Sequence, residues 1–385
     1  MKKGKRCIFL LLVFLLSLGN KIAYTQPHQK PGFISRYWNK LVNDTSANAK
    51  SQFLVYPTLA YAPETSWEFG LSSLYVFYAK GDTNNRLSEI NGFTFLTLKR
   101  QYGFWFDHAL YSHENKWFSL GRLRLQSFPL LYHGIGPDSP EEHLAQVNAN
   151  LLQIRERVLR KIYPSLYFGL EVDYQRLSSV EFELNTDEPI DHPPGSTGSA
   201  NLGVGLGILY DNRHNVLNVR KGFFSELSLL NYDKNRGSDF SFTSVISDTR
   251  IYRPINKRDV LAAQVFGQFN FGNPPFNQLS LLGGESIMRG YYLGRFRDNN
   301  QIAAQVEYRF LPLPLGFTKR VGAAVFAGSG TVFNSVRTLQ FHDFVWSAGA
   351  GLRFLIFPKK DIFTRLDVAF TQEGPGFYIF IGEAF

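Results

Sequence analysis

Hydrolysis by a protein nucleophile needs a serine or cysteine beside a base, and a third group to orient that base. The chain carries 8 histidines among many serines and aspartates, so the residue types are present. The spacings are not. Neither a Gly-x-Ser-x-Gly elbow nor a His-Glu-x-x-His pair occurs. His108, His133 and His342 stand isolated and read as loop or girdle residues. Asp138, Glu141 and Glu142 lie close together, but acidic loop residues are ordinarily solvated rather than metal-bound. The expectation is no enzyme, no metal and no cofactor.

The elements that would position any other site begin with the N-terminus. Lys2, Lys3, Lys5 and Arg6 precede an apolar run from Cys7 to Leu18. Gly19 and Asn20 break the run, and Ala23-Tyr24-Thr25 offers a cleavage site before Gln26. This is the layout of a secretory signal peptide, and the run is shorter than the roughly 20 residues of a membrane helix. Cleavage after residue 25 would remove Cys7, the only cysteine, and with it any disulfide or thiolate ligand. It would also leave 36 basic residues against 32 acidic ones. That near balance, without a basic cluster interleaved with aromatics, argues against nucleic acid as a partner.

Past the signal segment the composition is aromatic, with 36 Phe, 19 Tyr and 5 Trp beside 33 Gly. No stretch there approaches a helical membrane span. A crossing would therefore need a closed barrel, in which every backbone polar group is paired. Period-two alternation supports one. Over 302–310, Ile302, Ala304, Val306, Tyr308 and Phe310 alternate with Gln305, Glu307 and Arg309. Over 166–174, Leu166, Phe168, Leu170, Val172 and Tyr174 alternate with Glu171 and Asp173. Over 362–370, Ile362, Leu366, Val368 and Phe370 alternate with Arg365 and Asp367. Such apolar faces meet lipid and the polar faces line a lumen.

The predicted fold is all-β, a transmembrane antiparallel β-barrel over residues 51–385 with about sixteen strands, an even number as such barrels prefer. The strand segments are 52–62, 67–79, 91–100, 104–113, 116–126, 148–160, 164–176, 199–211, 222–232, 240–252, 258–271, 300–312, 319–328, 344–356, 362–370 and 376–385. With both ends periplasmic, the long connections 127–147, 177–198, 272–299 and 329–343 become extracellular. The connections 80–90 and 212–221 are unusually long for the periplasmic side. Residues 26–50 form a short periplasmic leader, either a small amphipathic helix or a partly ordered segment. The stretch Gly376–Phe385 is aromatic, and its Tyr378, Phe380 and Phe385 suit the terminal assembly signal of outer-membrane barrels. Glu383 would share the lipid face with Ile381 and Phe385, at a membrane edge where a charge costs roughly 0–1 kcal/mol.

One loop carries a family signature. Met288-Arg289-Gly290-Tyr291 lies in the connection before the twelfth strand. It resembles the Val/Ile-Arg-Gly-Phe/Tyr motif of the BamA/TamA (bacterial surface antigen) superfamily. Tyr210-Asp-Asn-Arg213, Arg220-Lys-Gly222 and Pro57–Thr65 are similar to further family patterns, so the resemblance spans about residues 50–385. It implies that loop 272–299 folds into the lumen and that Arg289 meets an acidic residue of the inner wall. Glu307, on the lumen face of the adjoining strand, is the expected partner, since a guanidinium fork suits a carboxylate. Gly290 would allow a tight turn, and Tyr291 would pack at the loop base. A simple two-residue pair of this kind would survive exchange of its charges. The family's Phe-x-Asp-x-Gly pattern is matched here by Phe326-Ala-Gly-Ser-Gly330, with Gly328 at the aspartate position. Arg289 would then depend on Glu307 or another lumen carboxylate.

The resemblance implies a non-catalytic outer-membrane protein that assists insertion or translocation of a protein or lipid client. Relatives with that role usually carry periplasmic POTRA domains. A 25-residue leader is too short for one, so client capture is expected from a periplasmic protein or lipoprotein partner. Outer-membrane lipid is the other expected partner. The alternatives are a passive pore or structural barrel and, remotely, an outer-membrane lipase.

Overall fold

The computed structural model describes residues 50–385, apart from 63–65 and positions 99, 128, 188 and 214. The expected signal segment and the leader up to residue 49 lie outside the described residues. Sixteen strands of eight residues or more follow: β1 (Gln52–Ala62), β2 (Ser66–Tyr78), β3 (Leu87–Thr97), β4 (Tyr102–Tyr111), β5 (Trp117–Ser127), β6 (Ala145–Tyr163), β7 (Leu166–Leu184), β8 (Ser199–Asp211), β9 (Gly222–Tyr232), β10 (Phe242–Pro254), β11 (Asp259–Gly272), β12 (Asn300–Phe310), β13 (Val321–Phe333), β14 (Val345–Phe357), β15 (Ile362–Thr371) and β16 (Gly374–Ile381). Each pairs antiparallel with the next in sequence. The wall comes back to its start. In the β14–β15 turn Lys360 donates to the Lys50 carbonyl at 3.0 Å, and its ammonium lies 5.0 Å from the Tyr78 ring of β2.

The alternation sorts the two faces. Phe168, Leu170 and Val172 point out and are exposed, while Glu171 and Asp173 between them are buried inside. Val204, Leu206 and Ile208 of β8 are likewise exposed. Opposite them stand glycines, and Gly203 and Gly207 leave room in the lumen for Tyr232 and Arg157. An apolar outer band with a polar interior is the pattern that a bilayer selects.

Several boundaries differ from the sequence expectation: β3 begins at Leu87 rather than 91 and β13 runs to Phe333 rather than 328, and two further departures have clear physical reasons. The β6–β7 hairpin continues to Leu184, with a register shift between Asn148 and Asn150. Its outward positions turn polar after Tyr174, so the alternation stops, but the backbone ladder needs no apolar face to continue. At the other end the last strand closes at Ile381 rather than Phe385. Gly382, at φ +85°, turns the chain inward. The Glu383 side chain and Phe385 are therefore buried in the lumen and do not sit on a lipid face. His108 takes an outward strand position close to the end of β4 at Tyr111. Its Nε2 lies 3.1 Å from Ser119 Oγ and 3.3 Å from Glu156 Oε1. One ring nitrogen faces both neighbours, so the trio lacks the orienter on the second nitrogen that a hydrolytic triad requires.

With both ends of the wall at one mouth, the β11–β12 connection lies at the opposite, far mouth, and it folds inward. At the near mouth the 212–221 connection explains its own length. Leu217, Asn218 and Val219 are buried there, and Val219 packs with Tyr252, Val260, Ala262 and Phe385. Glu383 N donates to the Leu217 carbonyl at 3.2 Å. Arg220 grips Asp361 at 2.5 Å and the Leu311 carbonyl at 2.8 Å, tying this segment to two neighbouring turns. Arg86 and Arg213 share buried Asp211 at 2.7 and 2.9 Å.

Candidate functional site

The site is built by parity. Inward positions of β12 carry Glu307 and Arg309, of β14 Ser347 and Arg353, and of β15 Arg365 and Asp367. Adjacent registers bring them level, with Arg353 opposite Arg365 and Gly351 opposite Asp367. The 273–299 loop brings Arg289 into this group. Gly283, Gly284 and Gly290 have φ of +122°, +108° and +110°, a region that only glycine enters without strain.

Arg289 is forked between two carboxylates. Nη2 donates to Glu307 at 2.7 Å and Nη1 to Asp367 at 2.7 Å, all three side chains being fully buried. Its Cζ stands 3.4 Å from the centre of the Phe326 ring, a stacked cation–π contact. Glu307 also accepts from Arg309 at 2.7 Å and Arg353 at 3.4 Å. Asp367 also accepts from Arg353 at 2.5 Å and Arg365 at 2.8 Å. Glu383 closes the network, 2.8 Å from Arg353 and 3.7 Å from Arg309. Four arginines thus face three carboxylates. A buried charge is tolerated when paired and hydrogen-bonded, and removal of one partner is what costs.

The loop main chain is held as well. Ser347 Oγ donates to the Arg289 carbonyl. Gly290 N donates to Tyr378 Oη at 2.9 Å, Arg365 to the Glu285 carbonyl at 3.1 Å, and Gln305 to the Ser286 carbonyl at 2.7 Å. Tyr291 is buried against Leu282, Met288, Phe296, Ala303 and Val332. Arg295 bridges Glu373 of the β15–β16 turn at 2.7 Å and Ser139 of the 128–144 connection at 2.9 Å. Arg297 reaches the Leu131 carbonyl at 2.7 Å.

The structure therefore brings Arg289, Gly290, Tyr291, Glu307 and Tyr378 together. Phe380 is paired with Arg365 in the β15–β16 ladder, its ring 5.0 Å from the guanidinium, and Phe385 belongs to the near-mouth cluster, its carbonyl accepting from Arg309 at 3.0 Å. Sequence reasoning missed Asp367 as a ligand of Arg289, and it missed Arg309, Arg353 and Glu383. Parity alone marked Asp367 as a lumen residue. A Cβ on Gly328 would lie 3.6 Å from Met288 Sδ, so that position faces the loop but offers no carboxylate.

Gly290 has no room for a side chain. A Cβ there would fall 2.5 Å from Thr371 Cγ2, at a φ that already strains any other residue. Gly290→Ala is expected to lift the loop off β15 and cost about 1–3 kcal/mol. Limited proteolysis of 273–299 checks it, and unaltered cleavage would contradict the contact.

A second expectation concerns His133, buried in the 128–144 connection with its Nδ1 3.1 Å from the Pro140 carbonyl. Burial first, and then Arg295 nearby, push it down to about 4 from 6.5. The neutral ring donates to Pro140 in the closed form, and the released loop takes up the proton first. Closure of 128–144 is thus fully stable above about pH 6.5 and weakens as pH falls toward 4. Hydrogen-exchange protection, corrected for intrinsic rates, should drop between pH 7 and pH 5 and become flat in His133→Gln.

The Omp85 superfamily domain model matches residues 140–385. No curated protein sequence matches the chain. Among solved structures, BamA from Haemophilus ducreyi lacking POTRA domains 1-3 is similar at TM-score 0.53 and 15% identity, over 86% of this chain and 69% of that one. CdiB from Acinetobacter baumannii is similar at TM-score 0.54 and 12% identity, over 84% of this chain and 56% of that one. CdiB from Escherichia coli gives 0.54 and 12%, over 86% and 61%. The chain spans less than two thirds of either CdiB, and at these identities the likeness is one of fold. The family match covers the loop with its arginine, the lumen carboxylates and the last hairpin, and on it this chain belongs to the Omp85 superfamily of outer-membrane β-barrels.

Proposed function

We propose that this barrel assists insertion or translocation of a protein or lipid client at the outer membrane, without catalysis and with a partner subunit that captures the client. The observation that carries the reading is the buried fork of Arg289 on Glu307 and Asp367, which holds a long loop inside the lumen. A loop retained there by a costly charge network serves a barrel that must control its interior. A second feature is the pair of terminal strands, β1 and β16, at which such a wall would close. β16 has 8 residues, the fewest of the sixteen strands, and carries Pro375 and Gly376 at its start. β1 carries Pro57 midway. Proline lacks the N–H a ladder needs and weakens strand pairing. An incoming strand could add to such an edge.

Mild-detergent extraction of the outer membrane, with the chain as bait and mass spectrometry of what accompanies it, tests this. A periplasmic protein or lipoprotein recovered in fixed ratio, whose depletion stalls a client, is the expected result. A chain recovered alone that conducts ions steadily in planar bilayers would overturn the reading in favour of a pore.

A further inference from the structure

The loop does more than sit in the lumen, because its anchors are unevenly placed. It enters from β11 and leaves into β12, yet it is fastened three strands away on the last hairpin. Arg289 reaches Asp367 of β15 at 2.7 Å. Gly290 N reaches Tyr378 Oη of β16 at 2.9 Å, and Arg295 reaches Glu373 of the β15–β16 turn at 2.7 Å. The main chains touch as well, for a Cβ on Gly376 would lie 2.9 Å from Gly290 Cα. The same arginine holds Glu307 of β12 at 2.7 Å.

We propose that Asp367 is a positioning residue that makes the loop a tie between β12 and the β15–β16 hairpin, so that loop docking and the fit of β16 in the wall stand or fall together. The proposal rests on the seam reading for its use, but the coupling itself needs no client. β16 has one partner in the meander, β15, and an 8-residue ladder to hold it. At its Gly374 end the lumen side restrains it through Tyr378 and the turn at Glu373, while beyond Ile381 the tail is held separately at Gly382, Glu383 and Phe385. Those two contacts are made by Gly290 and Arg295, which follow the arginine that Asp367 fixes. Release of Arg289 from Asp367 would therefore loosen the Gly374–Tyr378 half of β16 without touching the β15–β16 ladder. Displacement of β16 by an incoming strand would, by the same linkage, unseat the loop.

Gly328 allows a decisive test. Its Cβ direction faces the loop at Met288, on β13, two strands from β15. A carboxylate there would face the loop past Gln305 Cβ at 3.1 Å and the Ala304 carbonyl at 3.2 Å, and an ion pair with Arg289 from β13 would not link the loop to the hairpin. Hydrogen exchange of the full chain in lipid nanodiscs reads residues 273–299 and 374–381 separately. Arg289→Ala and Asp367→Asn should each raise exchange in both segments, about tenfold or more for β16. Asp367→Asn with Gly328→Asp should restore slow exchange in the loop and leave β16 fast. Unchanged β16 exchange in Arg289→Ala, or β16 protection restored by the β13 carboxylate, would overturn the proposal. If the double variant does not assemble, Asp367→Asn alone decides: it removes the β15 carboxylate from Arg289, and wild-type exchange in β16 would again refute the tie. Because no client enters, failure here leaves the insertion reading standing, and failure of the partner search leaves the tie standing.

Discussion

Glu307→Gln should be the most damaging conservative change in the barrel. The wild-type cluster sets Arg289, Arg309, Arg353 and Arg365 against Glu307, Asp367 and Glu383. Neutralising Glu307 leaves four buried cations with two carboxylates. It strips Arg289 and Arg309 of ligands at 2.7 Å, and Arg353 of one at 3.4 Å. An uncompensated buried charge costs about 3–5 kcal/mol. The heat-induced gel shift of the folded barrel should move to clearly lower temperature. Arg289→Ala should shift it less, because three arginines then face three carboxylates. Equal shifts for the two variants would contradict the charge count.

Arg289→Ala should act on the loop instead. It removes both ion pairs and the stack on Phe326 at 3.4 Å. Protease cleavage within 273–299 should rise by an order of magnitude or more while the barrel stays inserted, consistent with loss of two charge-assisted contacts. Exchange of charges, as Arg289→Glu with Glu307→Arg, should give no rescue. As an isolated pair the two would tolerate it. In the structure an arginine at 307 would face Arg309 and Arg353, which now donate to that carboxylate. The double variant should be worse than either single one, and restored loop protection would refute the network.

Much of the architecture was legible because the barrel writes itself locally. Each strand shows its two faces in its own residues, so Ile302–Phe310 and Leu166–Tyr174 needed no knowledge of their neighbours. The endpoints were less legible where no lipid acts, as at the extension of β7 to Leu184. The turn at Gly382 was hidden for a related reason. Glu383 and Phe385 share the parity of Ile381, although the glutamate breaks the apolar pattern, and the chain turns inward at the positive φ of Gly382. At the site, Arg289 and Glu307 are neighbours in sequence terms, separated by one connection. Asp367 lies 78 positions from Arg289. Nothing in a period-two pattern says that β15 stands at the depth of the loop tip, since depth follows from strand tilt and stagger around the closed wall.

The near mouth bears on how this barrel would look to an electrode. Segment 212–221 and the tail Gly382–Phe385 obstruct one end, while loop 273–299 obstructs the other. For current flow the two obstructions are resistors in series, and the larger one sets the total. Excising either alone should leave a membrane almost silent, whereas removing both should give ohmic steps. A quiet recording from a single deletion would thus reveal which stopper remains rather than whether the cylinder is hollow.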